Sequence, residues 1–477
     1  MKTTPAHGPE TAPRETVEHR TIEHIPVDER HGSATQLFTI WFGSNIMLLT
    51  VATGALATVV YGLPVWAAVL ALVIGNVVGG VVMALHAAQG PQMGVPQMLQ
   101  TRAQFGSYGS LLVVTIVVVM YTAFFASNMV LGGQALADLT PIGETAGIVL
   151  VGALGVVGAI YGYRVIHAMA GVLSAVAGLA LLAAFVMLFV VELPAGTMSA
   201  GAFSWAGFMG TISLAALWQI AYAPYVSDYT RYMPKDTGVR AAFWGTYSGC
   251  VLGSVLPMIL GTVIGAAWPA DDTVSGVHEA GGALGGLILA IFAISIAATN
   301  AMNLYCGALS SLTIGQTLKP GWQPRAGTRT VVCAVIFAVA LVIAIAGKDN
   351  FLGNFENFML LLLCVLIPWT AVNLVDYYLI RHGQYDIPSL FEPDGGIYGR
   401  INVAAVGCYL LGILVQIPFL SNALYTGPIA KSLDGVDISW IVGLAVICPV
   451  YYFWARATTS SPERIAAEPV TTLAEGA

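Results

Sequence analysis

Three polar side chains recur at four-residue intervals in the stretch ILAIFAISIAATNAMNLYCGALSSL: Ser295, Thr299 and Asn303. That spacing puts them on one face of a helix, with Asn300 beside them and Gly307 continuing the stripe. Hydroxyl and amide oxygens so aligned can ligate a hard monovalent cation or hydrogen-bond a polar solute. Singly, such residues more often bridge neighbouring helices. Phe124 and Asn128 are also four apart, in VVVMYTAFFASNMVLGGQAL. An aromatic one turn from an amide suits a flat heterocycle, giving a ring to stack on and an edge to pair with. The bland alternative is a lipid-facing Phe and a packing Asn. In TISLAALWQIAYAPYVSDYTRYMP, Pro224 interrupts an apolar run and costs its helix a backbone bond, with Trp218, Gln219 and Tyr222 just before it. In FTIWFGSNIMLLTVATGALA, Gly43, Ser44 and Asn45 weaken another helix and expose its carbonyls.

These groups need membrane helices to hold them. Of the 477 residues, 57% are hydrophobic and 9% charged, and mean hydropathy is +0.79. Soluble domains carry about 25% charged residues, so most of this surface must face lipid. A soluble enzyme, a nucleic-acid binder and a disulfide scaffold are thereby excluded, and the net charge of −7 gives no sign of a polyanionic partner. The six cysteines lie in or beside apolar runs and read as packing residues. Clustered acids and histidines of a membrane enzyme are absent, and no signalling domain is attached.

Twelve apolar stretches are long enough to cross about 30 Å of hydrocarbon. They span roughly 37–61, 64–86, 108–136, 146–163, 167–192, 202–226, 241–268, 283–312, 329–346, 356–380, 400–421 and 438–455. With the amino terminus inside, all of the 18 Lys and Arg except Lys348 and Lys431 fall in inside segments. Residues 1–35 and 457–477 read as disordered cytoplasmic tails around a transporter domain at 36–456. No charged residue lies near the middle of a span, which argues against a carboxylate proton relay and a strongly charged substrate. Asp228 and Asp376 sit near inner helix ends.

The first and sixth spans both carry an interruption, and the third and eighth both carry a polar face. Corresponding features five helices apart point to two inverted repeats, because five is odd, with the binding site at their interface. The fold expected is all-α: repeat one at 37–192, repeat two at 202–380, and two appended helices at 400–455.

The chain resembles the nucleobase–cation symporters, the cytosine/purine permeases and their hydantoin and allantoin relatives. The resemblance rests on W-F-G-S-N at 41–45, F-F-A-S-N-M-V-L-G-G-Q-A-L at 124–136, A-Y-A-P-Y-V-S-D-Y-T-R-Y at 221–232, T-N-A-M-N-L-Y at 299–305 and P-W-T-A-V-N-L-V-D-Y-Y at 368–378. It implies a five-plus-five inverted repeat, with substrate between the first and sixth helices on one side and the third and eighth on the other. It also implies an aromatic–amide pair at Phe124 and Asn128, where the family usually has Trp and Gln, and a helix-six aromatic at Tyr222. Substrate contacts are expected from Phe124, Asn128, Gln219, Tyr222, Asn300, Asn303 and Asn45. The family's cation site uses helix-one carbonyls and helix-eight hydroxyls, here Gly43, Ile46, Ser295 and Thr299. Ala298 stands where sodium-coupled members tend to have a second hydroxyl. The expected function is plasma-membrane import of a neutral nucleobase-like ring by symport with sodium or a proton, with no cofactor and no obligatory protein partner. The alternative is an amino-acid or amine symporter of the same fold.

Overall fold

The computed structural model describes residues 22–458 apart from 162, 270, 271, 323 and 325. The expected tails lie outside the described residues at 1–21 and 459–477. Residues 22–33 differ from expectation: they pack rather than trail. Ile22 and Ile25 are buried in the main core, and the Ile25 N–H donates to the Gly94 carbonyl at 2.9 Å. The buried Arg30, whose Nε donates to the Ile25 carbonyl at 2.9 Å, and the His31 N–H, which donates to the Tyr232 carbonyl at 2.6 Å, also hold this short segment.

The first span is two helices, α1 (Ala34–Asn45) and α2 (Leu48–Val59), bent by 60°. Ser33 and Gln36 form a capping box that starts α1. At its end the side chains of Ser44 and Asn45 turn back onto the carbonyls of Ile40 and Trp41, four residues earlier. Ile46 and Met47 then leave helical conformation. Next come α3 (Val65–Ala87), a short loop helix α4 (Gln97–Phe105), α5 (Ser110–Leu139), α6 (Glu144–Tyr161) and α7 (Tyr163–Val190).

The sixth span is α8 (Trp205–Ile220) and α9 (Ala223–Thr230), with Pro224 in the first turn of α9, where its missing N–H costs nothing. This interruption is milder than the first, and Trp205–Thr230 continues as one span. Then follow α10 (Lys235–Ala267), a second loop helix α11 (Thr273–Gly281), α12 (Gly285–Leu318), α13 (Ala326–Gly347), α14 (Phe351–Val375), α15 (Val403–Gln416) and α16 (Ser439–Thr458).

Among the described residues nine helices are long and apolar enough to cross a membrane, ten with the bent pair α1–α2. That number takes 327–380 once, though it holds both α13 and α14, and omits the 14-residue α15. Twelve spans are therefore not reached by length and composition alone.

The inverted repeat is visible in who packs against whom. The first span packs on α10, as the sixth packs on α3; α6 packs on α12, as α13 packs on α5; α7 packs on α1, as α14 packs on α8. Each pair maps onto the next by a shift of five spans. Helices of the first, second, sixth and seventh spans approach closely enough that Gly54 in α2 touches α10. A Cβ there would collide with the Met258 carbonyl oxygen.

Candidate functional site

A cavity lies where the two interrupted spans face the third and eighth. Met47 and Leu49 reach it from the first break, and Ala221 and Tyr222 from the second. Trp218 and Tyr225 flank that second break. Phe124 and Asn128 come from α5, and Thr299 and Asn303 from α12. Among the described residues no charged side chain lines it.

Phe124 meets Trp218 edge to face, with centroids 6.3 Å apart and planes at 86°, and Phe358 of α14 at 5.1 Å and 80°. A flat solute here finds aromatic faces and edges on both sides of the cavity. Its polar lining combines amides with the hydroxyls of Thr299, Tyr222 and Tyr225. Asn303 accepts from the Tyr225 hydroxyl at 2.8 Å and donates to Asn300 Oδ1 at 3.4 Å. Asn128 is 1% exposed, and neither its Oδ1 nor its Nδ2 has a hydrogen-bond partner. A buried amide with both groups unpaired costs free energy unless something fills its bonds.

Five expected residues therefore line one cavity: Phe124, Asn128, Tyr222, Asn303 and Thr299. Asn45, Gln219 and Asn300 do not, because their amides face other helices. Asn45 Oδ1 accepts from Trp218 Nε1 and Ser254 Oγ, each at 2.9 Å, and its Nδ2 donates to the Trp41 carbonyl at 2.7 Å. Gln219 Nε2 donates to Asn76 Oδ1 at 2.7 Å and to the Cys250 carbonyl at 3.3 Å. Asn300 Nδ2 reaches the Phe125 carbonyl at 3.5 Å. The first two lock the first, second, sixth and seventh spans to one another, and the third ties α12 to α5. Sequence reasoning left Met47, Leu49, Trp218, Ala221 and Tyr225 out of the site. Trp218 and Tyr225 were findable, as aromatics four residues before and three after Tyr222, on the same side of an interrupted helix.

Of the expected cation ligands, Thr299 does meet the first break. Its Oγ1 lies 3.0 Å from the Ser44 carbonyl oxygen and 3.1 Å from that of Ser295. The carbonyl that Thr299 meets is thus Ser44, between the expected Gly43 and Ile46. The Gly43 oxygen accepts the Ile46 N–H at 3.4 Å, and Ser295 Oγ donates back to Ile291 at 3.1 Å. Thr299 keeps lone pairs free, and neutral oxygens are the donor type a hard monovalent cation takes, so the set fits sodium in kind. Among the described residues no cluster of three His, Cys, Asp or Glu could hold a metal.

Both nearby acids are occupied elsewhere. Asp228 Oδ1 accepts the Gln97 N–H at 2.9 Å, capping α4. Asp376 is fully buried and meets Arg381 Nε at 3.2 Å, Tyr385 OH at 2.6 Å and Tyr451 OH at 3.0 Å.

Residues 24–443 match the family described as permeases for cytosine/purines, uracil, thiamine and allantoin. The chain belongs to that family. It is therefore a membrane transporter and not an enzyme. Over 440 residues this permease is 38% identical to YxlA of Bacillus subtilis, whose name assigns it to the purine-cytosine permeases, covering 91% of this chain and 95% of that one. It is 24% identical to purine-cytosine permease fcyB of Emericella nidulans, covering 90% and 86%. Its fold is that of Mhp1, a nucleobase-cation-symport-1 family transporter solved closed with bromovinylhydantoin bound. The TM-score is 0.72 at 19% identity, covering 92% of this chain and 96% of Mhp1. An inward-facing Mhp1 structure matches with a TM-score of 0.70 at 18% identity, covering 94% and 97%.

Proposed function

We propose that this permease carries a neutral, flat, nucleobase-like ring into the cell together with a sodium ion, by alternating access at the plasma membrane with both termini cytoplasmic. One observation carries the reading: the unpaired amide of Asn128, which lines an aromatic cavity and offers a donor beside an acceptor. A ring bearing N–H next to C=O or ring nitrogen satisfies both at once. The lack of charge in the lining suits a neutral solute. The names of YxlA and fcyB, and the hydantoin in Mhp1, are of the same chemical class. The two Mhp1 conformations support alternating access in this fold. An amino-acid or amine substrate is disfavoured, since its ionic groups would meet no opposite charge in the cavity.

Sodium is favoured over a proton on chemistry. The oxygens at the first break and on Thr299 are neutral, whereas Asp228 and Asp376 already cap a helix and hold an arginine. The lysine and arginine distribution supports the orientation.

The test is uptake of labelled cytosine, adenine, hypoxanthine, uracil, allantoin and hydantoins by cells expressing the protein, in sodium and in choline at fixed pH. At least one ring should accumulate, in sodium only, and Thr299→Ala should abolish that dependence. Failure across the panel with surface expression shown would sink the substrate class. Sodium-independent uptake that collapses with a protonophore would overturn the ion.

A further inference from the structure

Trp218 turns its ring toward the cavity and its N–H away from it. Nε1 donates to Asn45 Oδ1 at 2.9 Å and to Ser254 Oγ at 3.0 Å. Ser254 Oγ donates to the same Asn45 oxygen at 2.9 Å. All three side chains are buried. Asn45 Nδ2 is held by the Trp41 carbonyl at 2.7 Å, so both ends of the amide are engaged and its orientation is set.

Asn45 is also the last residue of α1, at the break itself. Its own carbonyl accepts the Met47 N–H at 3.1 Å, and the preceding carbonyl, Ser44, is the one that meets Thr299. One residue therefore stands between the oxygens available to a cation and the ring that faces the substrate.

We propose that Asn45 is a positioning residue that transmits occupancy of the cation site to Trp218. Sodium held at the break fixes the backbone from Gly43 to Ile46. That backbone aims the Asn45 amide, and the amide aims the indole. The second acceptor of the indole N–H, Ser254 Oγ, itself donates to the Asn45 amide oxygen, so both partners of the ring are tied to that amide and the ring follows it. The inference rests on the sodium-coupled ring transport proposed above and adds the route of coupling. Sodium then tightens ring binding, and by linkage the ring tightens sodium by the same factor.

The experiment is equilibrium binding of a labelled ring that the wild type transports, to purified full-length protein, in sodium and in choline at equal ionic strength. The variants are Asn45→Ala, Trp218→Phe and the double. Trp218→Phe keeps an aromatic face and loses only the N–H donor. In the wild type sodium should tighten binding by a factor within the ~5–150 typical of coupled sites. In each variant the factor should fall below about two, and the double should be no worse than either single. Sodium without ring should still raise the melting temperature of both single variants, because the oxygens that would hold the ion are untouched. A purely structural role for Asn45 would weaken ring binding equally in sodium and choline, and that result overturns the proposal. So does a wild-type factor retained in Trp218→Phe, which decides the matter if Asn45→Ala does not fold. A wild type that binds rings with no response to sodium also overturns it. A wild type that binds none of the panel instead removes the proposed function itself.

Discussion

Replacing Asn128 by Ala separates binding from stability in a way few buried amides allow. The amide makes no hydrogen bond to the protein, so its removal breaks none. Without ring, stability should not fall through lost hydrogen bonds: removing unpaired buried polar groups relieves a penalty of about 1–3 kcal/mol, which opposes the cost of the cavity left by the shorter side chain. Binding is different. The donor and the acceptor each lose a bond to the ring edge, at about 0.5–1.5 kcal/mol per bond, or ~1–3 kcal/mol together. That is roughly a 5- to 150-fold rise in Kd. Asn303→Ala is the control, since it strips the Tyr225 hydroxyl of its acceptor at 2.8 Å and leaves it buried and unpaired. It should lose about 1–3 kcal/mol of stability as well as affinity. Titration of purified protein with a labelled ring, alongside thermal unfolding, reads both quantities. Equal destabilisation by the two variants, or unchanged affinity in Asn128→Ala, would refute the reasoning.

Phe124→Ala and Tyr222→Ala should each weaken ring binding by roughly 1–3 kcal/mol, the worth of stacking a base on an aromatic, as measured by the same titration. Gly54→Ala should lower folded yield and melting temperature, because its methyl must push α10 away from α2; overpacking of this kind costs about 1–3 kcal/mol. A variant as stable as the wild type would show that the helices can separate freely. Asp376→Asn should cost about 3–5 kcal/mol of stability by leaving Arg381 buried without its ion pair, while ring affinity stays within a factor of about two. A Kd that moves with unchanged melting temperature would instead bring Asp376 into the transport chemistry.

The all-helical membrane fold, the two interruptions and the pairing of polar faces were legible in the chain because each is a local property. Lipid exposure sets composition, Gly-Ser-Asn and Pro disturb helices within a turn, and a four-residue spacing fixes a shared face. The 60° bend at Ile46–Met47 against the milder break at Tyr222 was not legible. It depends on Ser44 and Asn45, whose side chains bond back to the Ile40 and Trp41 carbonyls in the last turns of α1, while Pro224 opens a new helix where its missing N–H is harmless. The burial of Ile22 and Ile25 was equally hidden, since two apolar residues in a polar segment carry no periodicity.

The amides show the deeper limit. Asn45, Gln219, Asn300 and Asn128 look alike in sequence: each is polar, near an interruption or on a polar face. Spacing says which residues share a side of a helix, but not which neighbour that side meets. Asn300 is adjacent to Thr299 in sequence and about 100° round the helix from it. That rotation turns it from the cavity toward α6, where its Cβ lies 3.0 Å from where a Cβ on Gly155 would be. Asn45 is paired at both ends and Gln219 at its nitrogen only. Asn128 is paired at neither, although it is as buried as they are. Burial therefore does not separate an amide that holds helices together from one that lines the cavity. Pairing alone does not either, since Asn303 lines the cavity with both amide atoms paired and Gln219 lies outside it with an unpaired oxygen; what differs is the neighbours each side meets, residues such as Ser254 and Asn76, far away in the chain and unremarkable there.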